Sequence, residues 1–219
     1  AIVGMNGSGK TTLVKLLCGL YKPTKGQIML GNHPISDYSY TEYIKLFSVV
    51  FQDFRLLAFS LGQNVAASEE YDGDRADKSL RASGFASKLE RLPKGLEQTI
   101  YHDYDEDGVE LSGGEEQLVA MARAIYKGAA VFVLDEPTAA LDPITEHEIY
   151  TRLDKIAGDK STIFISHRLS TCRFCDEIIV MDKGEIVQQG NHDELVNKSG
   201  KYRELWLAQA RHYADKIDI

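Results

Sequence analysis

A nine-residue stretch near the first residue, GMNGSGKTT (4–12), constrains this chain more than any other part of it. It fits G-x-x-x-x-G-K-[ST], with Gly4, Gly9, Lys10 and Thr11 in the required places. Glycines let successive backbone N–H groups turn toward an anion without a Cβ in the way. The short apolar run before the loop suits a buried parallel strand, and the run after it carries Leu13, Leu16, Leu17 and Leu20 on one broad helical face. A helix starting at the loop adds its positive end to the field there, so the stretch reads as a phosphate cradle. Asn6, Gly7, Ser8, Gly9 and Thr12 form its wall, Lys10 places a point charge at the outer phosphates, and the Thr11 hydroxyl can ligate Mg²⁺.

Strand-like runs recur at QIML (27–30), FSVVF (47–51), VFVLDE (131–136), STIFIS (161–166) and EIIVM (177–181), with helical patterns at 114–128 and 143–158 between them. This alternation predicts an α/β fold, a mostly parallel sheet flanked by helices. Residues 57–128 differ, with turns and charged helices, and read as an inserted α-helical subdomain; residues 1–56 and 129–219 then form the α/β core. EIIVMDKGEIVQQG predicts two strands joined by a tight Asp-Lys-Gly turn. The 219 residues, 43% hydrophobic and 26% charged, can bury a sizeable core. A net charge of −8 disfavours a broad nucleic-acid footprint. Three cysteines do not suggest a disulfide framework, and no apolar run is long enough to cross a bilayer. Those features predict a soluble domain in a reducing cytosol.

VFVLDEP adds metal control and a water-activating group to the phosphate cradle. Asp135 would hold the hydration shell of Mg²⁺, and Glu136 would orient or deprotonate an attacking water. A Asp-Glu pair closing a strand is often only a solvated edge, but two such motifs in this order predict an ATPase site. Ligands of doubly wound sheets bind at the carboxyl ends of the strands, which predicts Lys10 and Asp135 on one rim. LSGGEEQ (111–117) then supplies a second helix start suited to an anion at Ser112, Gly113 and Gly114. Ser112 with Glu115 three residues later also fits a capping box.

Together the phosphate loop, VFVLDEP and LSGGEEQ resemble the ATP-binding cassette (ABC) ATPase family, over nearly the whole chain. Gln52 in VVFQDF matches the family's Q-loop glutamine, AALD (139–142) with Asp142 its D-loop, and His167 its switch histidine at the γ-phosphate. The resemblance implies a P-loop NTPase core in which Thr11, Gln52 and Asp135 serve Mg²⁺, and Lys10, Glu136 and His167 serve hydrolysis. It also implies that two domains associate head-to-tail, each ATP lying between one loop and the Ser112, Gly113, Gly114 and Glu115 segment of the second domain. HRLST, LPKGLEQT, DEDGVELSGG and the carboxyl end are similar to the exporter branch. This implies transmembrane domains as partners, in the same chain or a separate subunit. It places the chain at the cytoplasmic face of a membrane, the expected one being the bacterial plasma membrane.

Two other readings use the same motifs: a soluble ABC-type ATPase of DNA repair or chromosome structure, and a non-hydrolysing regulatory ABC subunit. No long coiled-coil or zinc insertion supports the first, and intact Glu136, His167 and LSGG argue against the second. The acidic run Asp103, Asp105, Glu106 and Asp107 could dock a membrane domain or simply be a solvated loop. Glu115 stands where the family usually has glutamine, which would put a carboxylate near the second domain's nucleotide. Cys172 and Cys175 read as incidental cysteines on a short helix, and Cys18 as helix core. The family's amino-terminal antiparallel β-region, with its adenine-stacking aromatic residue, is largely missing. Ala1 therefore reads as a truncated start, with phosphate recognition present and base recognition impaired.

Overall fold

A computed structural model of the chain describes residues 1–137, 160–166 and 169–214, with side chains as far as residue 210. The predicted helix at 143–158 lies outside the described residues. In chain order the elements begin with β1 (Ile2–Val3), α1 (Lys10–Leu17), β2 (Met29–Leu30), β3 (His33–Pro34) and α2 (Tyr40–Ile44). There follow β4 (Phe47–Val50), α3 (Leu61–Ala66), α4 (Gly73–Ser83), α5 (Ala86–Leu89) and α6 (Gly113–Lys127). Next come β5 (Val131–Asp135), β6 (Ser161–Ile165), β7 (Ile178–Asp182), β8 (Glu185–Gly190), α7 (His192–Asn197) and α8 (Lys201–Ala214). They fall into two compact units, one of Ala1–Ile44 with Ile163–Ile219 and one of Lys45–Thr162.

In the first unit β1 pairs parallel on both sides, Ile2 lying opposite Ile165 of β6 and Ile179 of β7. A strand covered on both edges and both faces must be apolar throughout, and Ile2 and Val3 are 3% and 0% exposed. β7 turns back into antiparallel β8 through Lys183 and Gly184, whose φ of 50° and 84° fit a two-residue turn matched to strand twist. Val3, Ile178, Val180, Leu169, Cys172 and Leu195 close a core around the fully buried Tyr202. The Tyr202 hydroxyl is satisfied by His192 Nδ1 at 2.8 Å.

Two details of this unit differ from the sequence reading. The buried stripe of α1 is Lys10, Val14 and Cys18, four residues apart, while the leucines are half-buried and Leu20 is 46% exposed. The helix ends at Leu17 and the chain turns at Gly19 with φ 71°, so Leu20 never joins the helical face. QIML does not supply a buried sheet strand. Met29–Leu30 pairs antiparallel with His33–Pro34 in a separate ribbon, and both β2 residues are exposed. The turn at Gly31, with φ 60°, folds the segment straight back onto His33–Pro34, so its pairing partner is this local ribbon.

The second unit pairs β4 with β5 in parallel from Phe47 opposite Val131 to Val50 opposite Leu134. Its apolar core is helical, built from Leu61 and Val65 of α3, Ala76 and Leu80 of α4, and Val119 and Ala122 of α6. Each of these helices starts at a side chain that accepts a backbone N–H: Ser60, Asp72 and Ser112. The buried amide of Asn64 receives the Leu57 N–H at 2.9 Å and donates to the carbonyls of Leu57, Phe59 and Ser60. It thereby pins the loop that leads from β4 into α3. Arg123 of α6 donates to the carbonyls of Asn64 and Arg55, tying α6 to the same loop. The sheet strands are thus mostly parallel and accompanied by helices, as the residue pattern predicts. No helix among the described residues is long and apolar enough to cross a membrane.

Gly108 shows a close approach that no side chain could share. A Cβ there would lie 1.9 Å from the Tyr101 carbonyl oxygen, where the chain doubles back as the Tyr101 N–H donates to the Val109 carbonyl and the Val109 N–H donates to the Thr99 carbonyl. Gly108→Ala is expected to destabilise the protein by about 1–3 kcal/mol, read as a lower urea midpoint. The two cysteines of C-x-x-C lie on and just past a short 3₁₀ helix, Leu169–Phe174. Burial, helped by the neighbouring Cys175, pushes the Cys172 thiol up to about 12. Iodoacetamide at about pH 8 is therefore expected to modify Cys175 and spare the buried Cys18 and Cys172 in the native protein, as mass spectrometry would report.

Candidate functional site

The phosphate loop belongs to the first unit, whereas Gln52, the LSGGEEQ segment and Asp135 with Glu136 belong to the second. Gly7 and Gly9 adopt φ of 78° and 100°, left-handed values that turn consecutive N–H groups the same way. At Gly4 a Cβ would meet the Met181 carbonyl oxygen at 2.3 Å and Ser8 Oγ at 2.6 Å, so the loop closes only over a glycine. The Gly184 N–H donates to the Ser8 carbonyl at 3.0 Å, fastening the loop to the β7–β8 turn. Lys10 is buried, and its ammonium donates to the carbonyls of Gly4 and Met5 at 2.8 and 3.2 Å. Its charge is therefore held at the loop and not spread into solvent. Ser8 Oγ is buried without a hydrogen-bond partner among the described residues. Asn6 and Thr12 are exposed, and Thr11 is half-buried at the first turn of α1. A glycine-turned loop with a captive ammonium and a buried hydroxyl left unsatisfied among the described residues fits the oxygen-rich surface of a phosphate.

In the second unit Ser112 caps α6 as the spacing predicts. Its Oγ accepts the Glu115 N–H at 3.3 Å while Glu115 Oε2 accepts the Ser112 N–H at 2.8 Å. Lys88 approaches the other carboxylate oxygen of Glu115 at 3.1 Å. Desolvation works against this carboxylate, but the Ser112 N–H and the Lys88 ammonium outweigh it and hold Glu115 below its ordinary range. Glu115 is thus folded back into the cap and charge-matched within its own domain. Gly113 is exposed and Gly114 half-buried at this helix start. Nearby, Lys94 pairs with Asp107 at 3.1 Å and Asp105 at 3.8 Å, compensating part of the acidic run.

β5 delivers Asp135 at its last position, 1% exposed, and Glu136 immediately beyond it. Glu136 has φ 51°, a left-handed value unusual for a residue with a side chain. The Gln117 amide Nε2 donates to the Glu136 carbonyl at 3.2 Å. Gln52 sits exposed in the turn after β4. Asp142 and the rest of AALD, and His167, lie outside the described residues. The sequence reading missed Gln117 and Lys88. Gln117 left a signal: it is the one amide in the stripe of α6 formed with Ala120, Met121 and Ala124, all buried. Lys88 left none, because its partner is 27 residues away along the chain.

Fold and loop together define a P-loop α/β nucleotide-binding domain. A family model described as "ABC transporter" matches residues 1–139, and the chain belongs to that family. Family membership carries ATP binding with it. Among curated relatives, the "ATP-dependent lipid A-core flippase" of Burkholderia orbicola (strain AU 1054) is 38% identical over 98% of this chain and 35% of the relative. That of Alkalilimnicola ehrlichii is 39% identical over 95% of this chain and 35% of the relative. A solved structure, a bacterial Atm1-family ABC exporter with ATP bound, matches with a TM-score of 0.88 at 34% identity, covering 95% of this chain and 36% of that one. The chain spans about a third of the length of these relatives.

The cap at Ser112 gives a measurable expectation independent of any ligand. Ser112→Ala leaves the Glu115 N–H without its acceptor and should cost about 1 kcal/mol of stability in urea denaturation.

Proposed function

We propose that this chain is the ATP-binding and ATP-hydrolysing domain of an ABC exporter. The observation that carries the reading is the loop itself, with Gly4 closed over a buried Ser8 hydroxyl that has no partner among the described residues, and the Lys10 ammonium held inside. In this reading two domains close head-to-tail around two ATP, and closure drives transmembrane domains, in the same chain or in a separate subunit. The site then works at the cytoplasmic face of a membrane. Residues 1–56 and 129–219 form the catalytic core and about 57–128 the helical subdomain that carries Ser112 to the second domain's nucleotide.

The reaction is in-line attack of water on the γ-phosphate. Asn6, Gly7, Ser8, Gly9 and Thr12 hold the phosphate chain, and Lys10 stabilises the charge that builds on the γ-phosphoryl oxygens. Glu136 orients the water and accepts its proton, while His167 and Asp142 complete the site around it. Ser112, Gly113, Gly114 and Glu115 present a helix start to the ATP of the second domain. The hydroxyl of Thr11, the amide oxygen of Gln52 and the carboxylate of Asp135 are hard oxygen donors of the kind Mg²⁺ takes, and the ion would neutralise phosphate charge there.

Glu136→Gln keeps the shape of the side chain and removes its basicity. Phosphate release should fall by at least about a hundredfold, while ATP binding persists and the dimer accumulates in gel filtration. Hydrolysis at the wild-type rate would overturn the role given to Glu136.

A further inference from the structure

Gln117 lies five residues into the helix that Ser112 opens, 5% exposed, in a stripe otherwise apolar. A buried primary amide needs partners for its polar atoms. Here the Nε2 group donates to the main-chain oxygen of Glu136, 19 residues along the chain, at 3.2 Å. That oxygen belongs to the residue whose φ of 51° departs from the extended backbone of β5. A left-handed residue bearing a side chain keeps that conformation only when its surroundings over-determine it. The turn decides where the Glu136 carboxylate points, because one residue of extended backbone would send the side chain to the opposite face.

We propose that Gln117 is a positioning residue for Glu136. Its amide fixes the left-handed turn that aims the carboxylate, and rigid α6 joins that turn to the helix start at Ser112. A displacement of the LSGGEEQ segment is thus passed, through about one and a half turns of helix, to the group that activates water. The inference rests on Glu136 acting as the base in the proposed hydrolysis.

Gln117→Glu preserves size but replaces the donor by a carboxylate facing a carbonyl; Gln117→Met preserves length and removes the donor altogether. Measured on the full protein relative to wild type at each pH, both variants should lose about tenfold in kcat while the KM for ATP stays within about twofold. The deficit of Gln117→Glu should shrink between about pH 8 and pH 6, because the protonated acid regains an O–H donor. The deficit of Gln117→Met should not change with pH. A purely core-filling role predicts a loss that follows the urea midpoint and shows no such pH recovery, and that result would overturn the proposal. So would a folded Gln117→Met with wild-type kcat, which also decides the matter where Gln117→Glu does not fold. An inactive Glu136→Gln alongside fully active Gln117 variants removes the positioning role alone. A fully active Glu136→Gln removes the base assignment on which it rests.

Discussion

The parallel pairing of β1 on both sides is the constraint from which the first unit follows. Two residues, Ile2 and Val3, are enough to anchor the strand because Ile165, Ile179 and Val180 flank them in register. With both edges used, the chain has no freedom to slip, and Gly4 emerges against the Met181 carbonyl of the neighbouring strand. The loop is then fastened a second time by the Gly184 N–H. A phosphate cradle must keep its backbone donors fixed while few of them are used within the loop, as the Ser8 N–H is toward Met5. Here the sheet supplies that rigidity from outside the loop.

In the second unit α6 does the corresponding work. Its start is set by the reciprocal Ser112–Glu115 cap, its flank by Arg123 reaching the carbonyls of Arg55 and Asn64, and its buried face by Gln117 holding Glu136. One helix thus contacts the loop after Gln52 and the residue after β5, and begins at the Ser112 cap. Fifteen residues of continuous hydrogen-bonded backbone make these three places a single mechanical body.

What could be read from the sequence follows from the range of the interactions. Local rules placed the loop, the strands β4 to β8, the α6 cap and the Asp-Lys-Gly turn, since each depends on residues a few positions apart. The face of α1 was misjudged because helical spacing alone cannot tell that the helix stops at Leu17 and that Gly19 turns Leu20 away. QIML looked like a strand because apolar residues fit both a core strand and an exposed ribbon, and the turn at Gly31 decides between them. At the candidate site, spacing located the phosphate loop and the Ser112–Glu115 cap. The supports at Gln117 and Lys88 were not, because their partners lie 19 and 27 residues away.

The Lys88–Glu115 pair bears on which substitutions this sequence accepts. A carboxylate at position 115 is held at the start of α6 because a lysine from α5 matches its charge and the cap takes its second oxygen. The two positions are therefore coupled, since losing either charge leaves the other without this partner. Glu115→Gln alone would remove the carboxylate that Lys88 approaches at 3.1 Å. What position 115 tolerates thus depends on Lys88, a residue that lies outside the LSGGEEQ stretch.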